Sequence, residues 1–400
     1  MDKCFNDLNE RKGTTLSNYY VNNHIHTTYS FSPYTPRQAA QQAAKAGLAT
    51  AGIMDHDSIG GAREFTDECI KLGIAPTIGM ECRVRTDGTP LFGRRINNPD
   101  QISVAYVAMH GIPESQIEHV EAFIAPYRAC RNVRNRDMLA KISDLTGFSL
   151  DFDRDIPPIS MYGSGGTVTE RHLLYLLVGC ILKKYAKGAE VIAYLNDKLD
   201  ITVSGKLLEY LSDAENPYYD YDLLGVLKSS LVPKIYIPAD RECPHITEFL
   251  AFTKSIGAIS AYAYLGDVVG SVTGDKKAQK FEDDYLDILF DSLTELGFDA
   301  VTYMPSRNTM TQLALIGEKC RDMNLFQISG EDINTPRQSF VCEAMADPAF
   351  AGLIESTWAL IGHQKATKKD IQRGLFGEKS IAEHPDLNDR IAYFAGIGRK

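Results

Sequence analysis

Two histidines one residue apart, His24 and His26 in NNHIHTTYSFSP, are the first residues here whose types and spacing could do chemistry. Successive side chains of a strand point to opposite faces, so His-x-His presents two imidazoles on one side. Two such nitrogens aimed at one point make half of a first-row metal site. More candidates follow: Asp55-His56-Asp57, then Glu81. Imidazoles joined by carboxylates suit zinc, iron or manganese, and a metal so held can activate water.

The elements that must position these residues show in the pattern between them. Thr35 and Pro36 read as the N-cap and first residue of a helix whose Ala-rich body stops at Gly47. The apolar run Ala49 to Met54 has the length of a buried parallel strand, and it delivers Asp55-His56-Asp57 at its C-terminal end. Gly60 and Gly61 open a second amphipathic helix that runs to about Gly73, and a third strand, Ala75 to Val84, carries Glu81. The order is β-α-β-α-β with candidate ligands on strands or just past their ends. Barrels of (β/α) type place active sites there, where strand ends converge and loops are free to vary.

The segments HIHTTYS, GIMDHDSIGGA and TIGMEC resemble, in order and spacing, the first motifs of the PHP (polymerase and histidinol phosphatase) superfamily. The resemblance covers residues 18–112 and returns over 247–340. It implies an α/β fold, a distorted (β/α)7 TIM-like barrel, and a metal-dependent phosphoesterase with up to three metal ions. GAISAYAYLGD (Gly257 to Asp267) resembles the family strand ending in Ala-His-Pro, with Tyr264 at the histidine. FDAVTYMPSRN resembles the next strand and its loop, and SGEDIN the last metal motif, where Asp332 is kept and Asn334 replaces histidine. The strand Val104 to Met109 has Ala105 in place of a histidine, and Phe31 stands where an aspartate or histidine is usual.

Sorted by the metal each position serves in the family, the substitutions are not scattered. One site, His24, His26, Glu81 and Asp332, is complete. A second shares Glu81 and has lost its histidines to Ala105 and Tyr264; a third retains His56 but has Phe31 and Asn334. The resemblance thus implies one divalent metal per chain, zinc, manganese or iron, on His24, His26, Glu81 and Asp332. His56, its neighbour Asp55, and Tyr264 are the candidate catalytic residues, with His56 and Tyr264 as proton donors. His110 would replace the missing strand histidine if the register differs, and is otherwise a loop residue before Gly111.

Arginines are the natural partners of a phosphoryl group. In CRNVRNRDMLAKI, Arg131, Arg134 and Arg136 lie on a helix, and the resemblance brings Arg134 or Arg136 towards substrate, at least two of the three forming a solvated face. GSGGTVTERHLLYLL resembles, more loosely, a family segment with arginine and histidine at a helix start, which implies that Thr167 or Thr169 caps the helix and that Arg171 and His172 face the cleft. Its Gly-rich start could cradle an anion, though it lacks the P-loop lysine and threonine. Arg307, Asn334 and Arg337 lie on strand-end loops and complete the candidate substrate-binding set.

Four hundred residues, 44% hydrophobic, can bury a large core. Helical patterns from Glu114 to Thr146, Val168 to Lys198 and around Leu207 and Leu223 dominate residues 113–246. They suggest an insertion roofing the cleft of a discontinuous barrel, 14–112 with 247–340, while 341–400 reads as helices packing outside. A net charge of −10 argues against general nucleic-acid binding and points to a small substrate. The start MDKCFNDLNERKG has no apolar signal core, no run reaches the length of a membrane span, and eight scattered cysteines suit a reducing compartment, so a cytoplasmic location is expected. The functional expectation is hydrolysis of a small phosphorylated metabolite or nucleotide. The alternatives are a catalytically degenerate barrel that binds a ligand or partner, and hydrolysis of C–N or C–O bonds at the same metal.

Overall fold

The computed structural model describes residues 20–268 and 279–400; the expected barrel start at 14–19 lies outside the described residues. Seven strands form one sheet in sequence order: β1 Val21–Ile25, β2 Thr50–His56, β3 Ala75–Arg85, β4 Val104–His110, β5 Ile259–Ala263, β6 Ala300–Tyr303 and β7 Phe326–Ser329. Neighbours run parallel except β4, which is antiparallel to both β3 and β5. The sheet curls until the segment after β7 meets β1. There the Ile333 amide donates to the His24 carbonyl (3.1 Å) and the His26 amide to the Ile333 carbonyl (3.0 Å). The amides of Asn22 and Asn23 stitch the same seam, donating to the carbonyls of Glu331 (3.2 Å) and Ser329 (2.8 Å). The result is the nearly closed seven-stranded α/β barrel that the resemblance implies.

Helices α1 Pro36–Lys45 and α2 Ala62–Lys71 join the first three strands. The Thr35 hydroxyl accepts from the Gln38 amide while the Gln38 side chain accepts from the Thr35 amide, a reciprocal cap that fixes where α1 begins. Helix α3, Ile117–Thr146, serves two cores. Its first half (Ile117, Val120, Ile124) packs on the barrel, and its second (Met138, Leu139, Ile142) packs into a separate helical lobe. That lobe is built from α4 Glu170–Lys184, α5 Ala189–Leu199, α6 Gly205–Ser212 and α7 Tyr219–Ile235. The expected continuous helical pattern from Val168 to Lys198 is two helices, because Gly188 takes φ +90° between them. Phe31, from the loop after β1, packs into this lobe's core and docks it on the barrel mouth.

Helix α8 Ile246–Ser255 returns the chain to β5, and α9 Leu286–Leu296 and α10 Met310–Asp322 flank β6. The C-terminal helices α11 Ala351–Thr367 and α12 Leu387–Gly398 correct one expectation: they plug the barrel rather than pack outside it. The interior side chains Ala108, Ile259, Ala300 and Phe326 are apolar and would meet water at that end without Leu360, Ala359 and Phe394 against them. The two helices cross closely, since a Cβ on Gly362 would lie 1.9 Å from the Phe394 carbonyl oxygen. Among the described residues no helix is long and apolar enough to cross a membrane.

Candidate metal centre and its cleft

The alternation of β1 sends His24 and His26 into the barrel mouth, and their Nε2 atoms stand 3.2 Å apart. Asp332, carried past β7 by the seam described above, places a carboxylate oxygen 3.1 Å from His26 Nε2. Glu81 on β3 reaches to 3.8 Å from His24 Nε2 and to 2.9 Å from His56 Nδ1. Two overlapping trios of donors result, His24–His26–Asp332 and His26–His56–Glu81, each with its atoms within 4.8 Å of one another. Donors about 2.0–2.2 Å from a tetrahedral zinc stand roughly 3.3–3.6 Å apart, so the donor set fits a cation.

Burial and charge pull these donors in different directions. Burial lowers the His24 pKa, outweighing the pull of Glu81. Burial also disfavours charge on His26, but Asp332, by charge and hydrogen bond, raises it overall. Asp332 is held well below the usual carboxylate range, the histidines overcoming its burial. Burial pushes Glu81 up. His56 falls to about 3 through burial and the neighbouring His26 and Arg131, so its ring is neutral. With Nδ1 donating to Glu81, its Nε2 is left as a hydrogen-bond acceptor, and a neutral ring so depressed is neither a strong base nor the proton donor expected of it.

Asp55 is buried and does not line the cleft. Its carboxylate accepts from the Thr27 amide (2.7 Å), the Thr27 hydroxyl (2.6 Å) and the Ser30 hydroxyl (2.6 Å). Ser30, having donated its proton, accepts from His26 Nδ1 at 3.2 Å, which leaves Nε2 aimed at the donor cluster. Asp55 thus orients a candidate ligand rather than meeting substrate.

The donors sit at one end of a cavity of about 210 Å³ whose walls include Phe31, Tyr106, Arg131, Arg171, Lys228, Tyr264 and Asn334. Arg171 Nη1 donates to Asn334 Oδ1 (2.6 Å), and its guanidinium lies 6.0 Å from the Phe31 ring. Asn334 in turn donates to Asp332. Tyr264 also lines the cavity, but its hydroxyl donates to Asp283 (2.6 Å), and burial with that carboxylate pushes its pKa far up. It is a poor proton donor.

The remaining predicted substrate residues lie elsewhere. His172 is the N3 residue of α4, and its Nδ1 accepts the Thr169 amide (3.0 Å) as part of the helix cap; burial lowers it to about 3. In the Gly-rich segment the amides of Ser164 and Gly166 both donate to the Met161 carbonyl, so these two are spent within the loop. Arg337 is paired through two nitrogens with Asp222 (2.8 and 2.7 Å) and stacks over Tyr210, clasping the lobe to the barrel. Arg307 donates to the Leu265 carbonyl at 3.3 Å.

Arg134 is buried, and so is Arg131; only Arg136 lies on the exposed face expected of at least two of them, paired with Asp153 (2.6 Å). Arg134 pairs with Glu242 (2.6 Å) and Glu170, and Arg131 with Glu170 (2.7 Å) and Asp57. Arg83 of β3 joins through Glu242 and Glu170. Three cations and three acids from barrel, α3, α4 and the segment before α8 thus neutralise one another at the base of the lobe. Sequence reasoning missed Arg83, Glu170 and Glu242, because nothing local marks a charge whose partner lies on another element.

The antiparallel course of β4 changes one more assignment. Ala105, Val107 and Met109 face the outer helices, so the residue presented to the cleft is Tyr106, not Ala105. A one-residue slip moves a strand's whole set of side chains to the other face. His110 ends β4 buried, away from the cavity walls, and burial lowers it to about 3.

With this geometry in hand, comparison with known proteins is informative. Residues 22–213 match the family model described as PHP domain. A solved structure from Bifidobacterium adolescentis, described as a 'putative metal-dependent phosphoesterase', superposes with TM-score 0.53 at 20% identity, covering 82% of this chain and 93% of that one. An amidohydrolase from Chromobacterium violaceum, solved with bound sulfate and no metal, gives 0.54 at 16% identity, covering 81% and 90%. At such identities both show the fold. Error-prone DNA polymerases of Mycobacterium bovis and Mycobacterium tuberculosis are 32% identical over 74 residues, 18% of this chain and 7% of theirs. The match therefore spans only a small fraction of those relatives' length.

Proposed function

This chain carries a PHP domain, and from that premise we propose that it is a metal-dependent phosphoesterase acting on a small phosphorylated metabolite or nucleotide. The observation that carries the reading is the convergence of His24, His26 and Asp332 at spacings of 3.1 and 3.2 Å, with Glu81 beside them. These four would hold one zinc, manganese or iron ion, which supplies a polarised water and a positive charge for the phosphoryl group.

The chain's own residues do the rest. Ser30, fixed by Asp55, sets the His26 ring. Arg171, steadied by Asn334, offers its guanidinium to phosphoryl oxygens from the lobe side. His56 Nε2 orients the attacking water by accepting a hydrogen bond from it, while Glu81 holds the opposite side of the ring. The helical lobe, residues 113–246, roofs the cleft and limits what enters; Arg337–Asp222 and the buried ionic cluster hold it there. The described cysteines are all free, as a reducing compartment would keep them.

A second reading of the metal has His56 as a ligand, favoured by the trio His26–His56–Glu81. Metal content per chain by mass spectrometry, for the wild type and Asp332→Ala, together with a panel of phosphate esters, tests the proposal. About one metal, lost in the variant, and turnover abolished by His26→Ala are expected. Two metals favour the second reading. A metal-loaded chain that hydrolyses no phosphate ester refutes the phosphoesterase assignment.

A further inference from the structure

Tyr106 has no part in the reading above, yet its side chain is the one β4 presents to the cleft. Its ring stands 5.9 Å from that of His56, which bonds Glu81. Its backbone is locked in place. Asn97 accepts from the Tyr106 amide (2.7 Å) and donates to the Tyr106 carbonyl (2.8 Å), and the same amide group bridges to the Ala263 carbonyl on β5. The hydroxyl, by contrast, makes no hydrogen bond to any described residue, while the other two tyrosines of the cavity wall are committed. Tyr264 donates to Asp283, and Tyr303 to Gln327 at 2.9 Å. Burial keeps the Tyr106 phenol protonated at every working pH. A rigid, protonated, unpartnered donor in a cleft is therefore placed one ring away from the donor cluster.

We propose that Tyr106 is a catalytic residue whose hydroxyl donates a hydrogen bond to a phosphoryl oxygen of the bound substrate. The proposal rests on the phosphoesterase reading of the same cleft. A single cation contacts only part of the charge that spreads over the phosphoryl oxygens during transfer, and the remainder needs fixed donors. Arg171 supplies one from the lobe, and Tyr106 supplies one from the barrel wall beside His56. No proton changes hands at Tyr106. The phenol gains strength of contact as the oxygen gains charge.

The test is calorimetric titration of inorganic phosphate into wild type and Tyr106→Phe, with metal per chain and melting temperature measured on the same samples. The expected result is phosphate binding about tenfold weaker in the variant, the loss of one hydrogen bond to a charged group, at unchanged metal content and melting temperature. Turnover of any ester found active should fall about 100-fold in kcat/KM, shared between a higher KM and a lower kcat, since the contact is made to bound phosphate and tightens in the transition state. Equal phosphate affinity in the two proteins overturns the role of Tyr106 and leaves the phosphoesterase reading standing. A metal-loaded wild type that binds no phosphate overturns both. A variant that loses metal shows Tyr106 to act on the metal site instead, which also overturns the proposal.

Discussion

Replacing Glu282 with glutamine should make the protein more stable at alkaline pH and leave it nearly unchanged at pH 4. Glu282 is fully buried behind the β5 end. One carboxylate oxygen accepts from the Tyr262 hydroxyl (3.1 Å) and the Leu265 amide (2.9 Å). The other has no partner among the described residues. Burial raises the carboxyl from 4.5 to about 7, against the opposing pull of backbone amides. A carboxyl whose folded pKa is raised binds its proton more tightly in the native state. Its stabilising contribution is complete below pH 4.5 and is lost as pH rises through about 7. That gap corresponds to about 3 kcal/mol at pH 8. Glutamine keeps the acceptor oxygen and carries no charge to desolvate. Urea unfolding of wild type and Glu282→Gln, followed by circular dichroism from pH 5 to 9, should show the variant's advantage growing by about 2.5 kcal/mol across the window. Parallel curves would refute the reasoning, for they would mean that Glu282 ionises in the fold at no cost.

Two further expectations concern the metal site and the plug. Ser30→Ala breaks the link from Asp55 to His26 Nδ1 and should weaken metal affinity about 10- to 100-fold, read by competition with a chromogenic chelator; an unchanged affinity would show that His26 needs no such support. Gly362→Ala forces α11 away from the Phe394 carbonyl and should cost about 1–3 kcal/mol, seen as a lower urea midpoint, with the metal donors untouched.

What the sequence shows of this protein depends on whether a feature is local. The cap at Thr35, the buried strand to Met54 and the glycine stops declare themselves within a few residues, and they set the order of the first half-barrel. The His-x-His pair, Glu81 and Asp332 were legible because their types and motif spacing fix them at strand ends. The direction of β4 was not, since alternation reads the same in either direction; Tyr106 rather than Ala105 emerges only once the strand is paired. The arginines of α3 look like a solvated face because charge normally is one. Arg131 and Arg134 are buried only because Asp57, Glu170 and Glu242 arrive from other elements to neutralise them. His172 was read as a cleft residue from a motif, while its ring serves a helix cap three residues back.

The seam between β1 and the segment after β7 has a consequence for when the metal site comes into being. Asn22 and Glu331 meet across 309 residues of chain, and the same join brings Asp332 to His26. His24, His26 and Glu81 precede their last carboxylate by about 250 residues of chain or more. Until the segment that carries Asp332 is made and docks on β1, the early strands can offer a cation only an incomplete and poorly selective set of donors. Selectivity among the ions that these four residues would hold therefore belongs to the closed barrel.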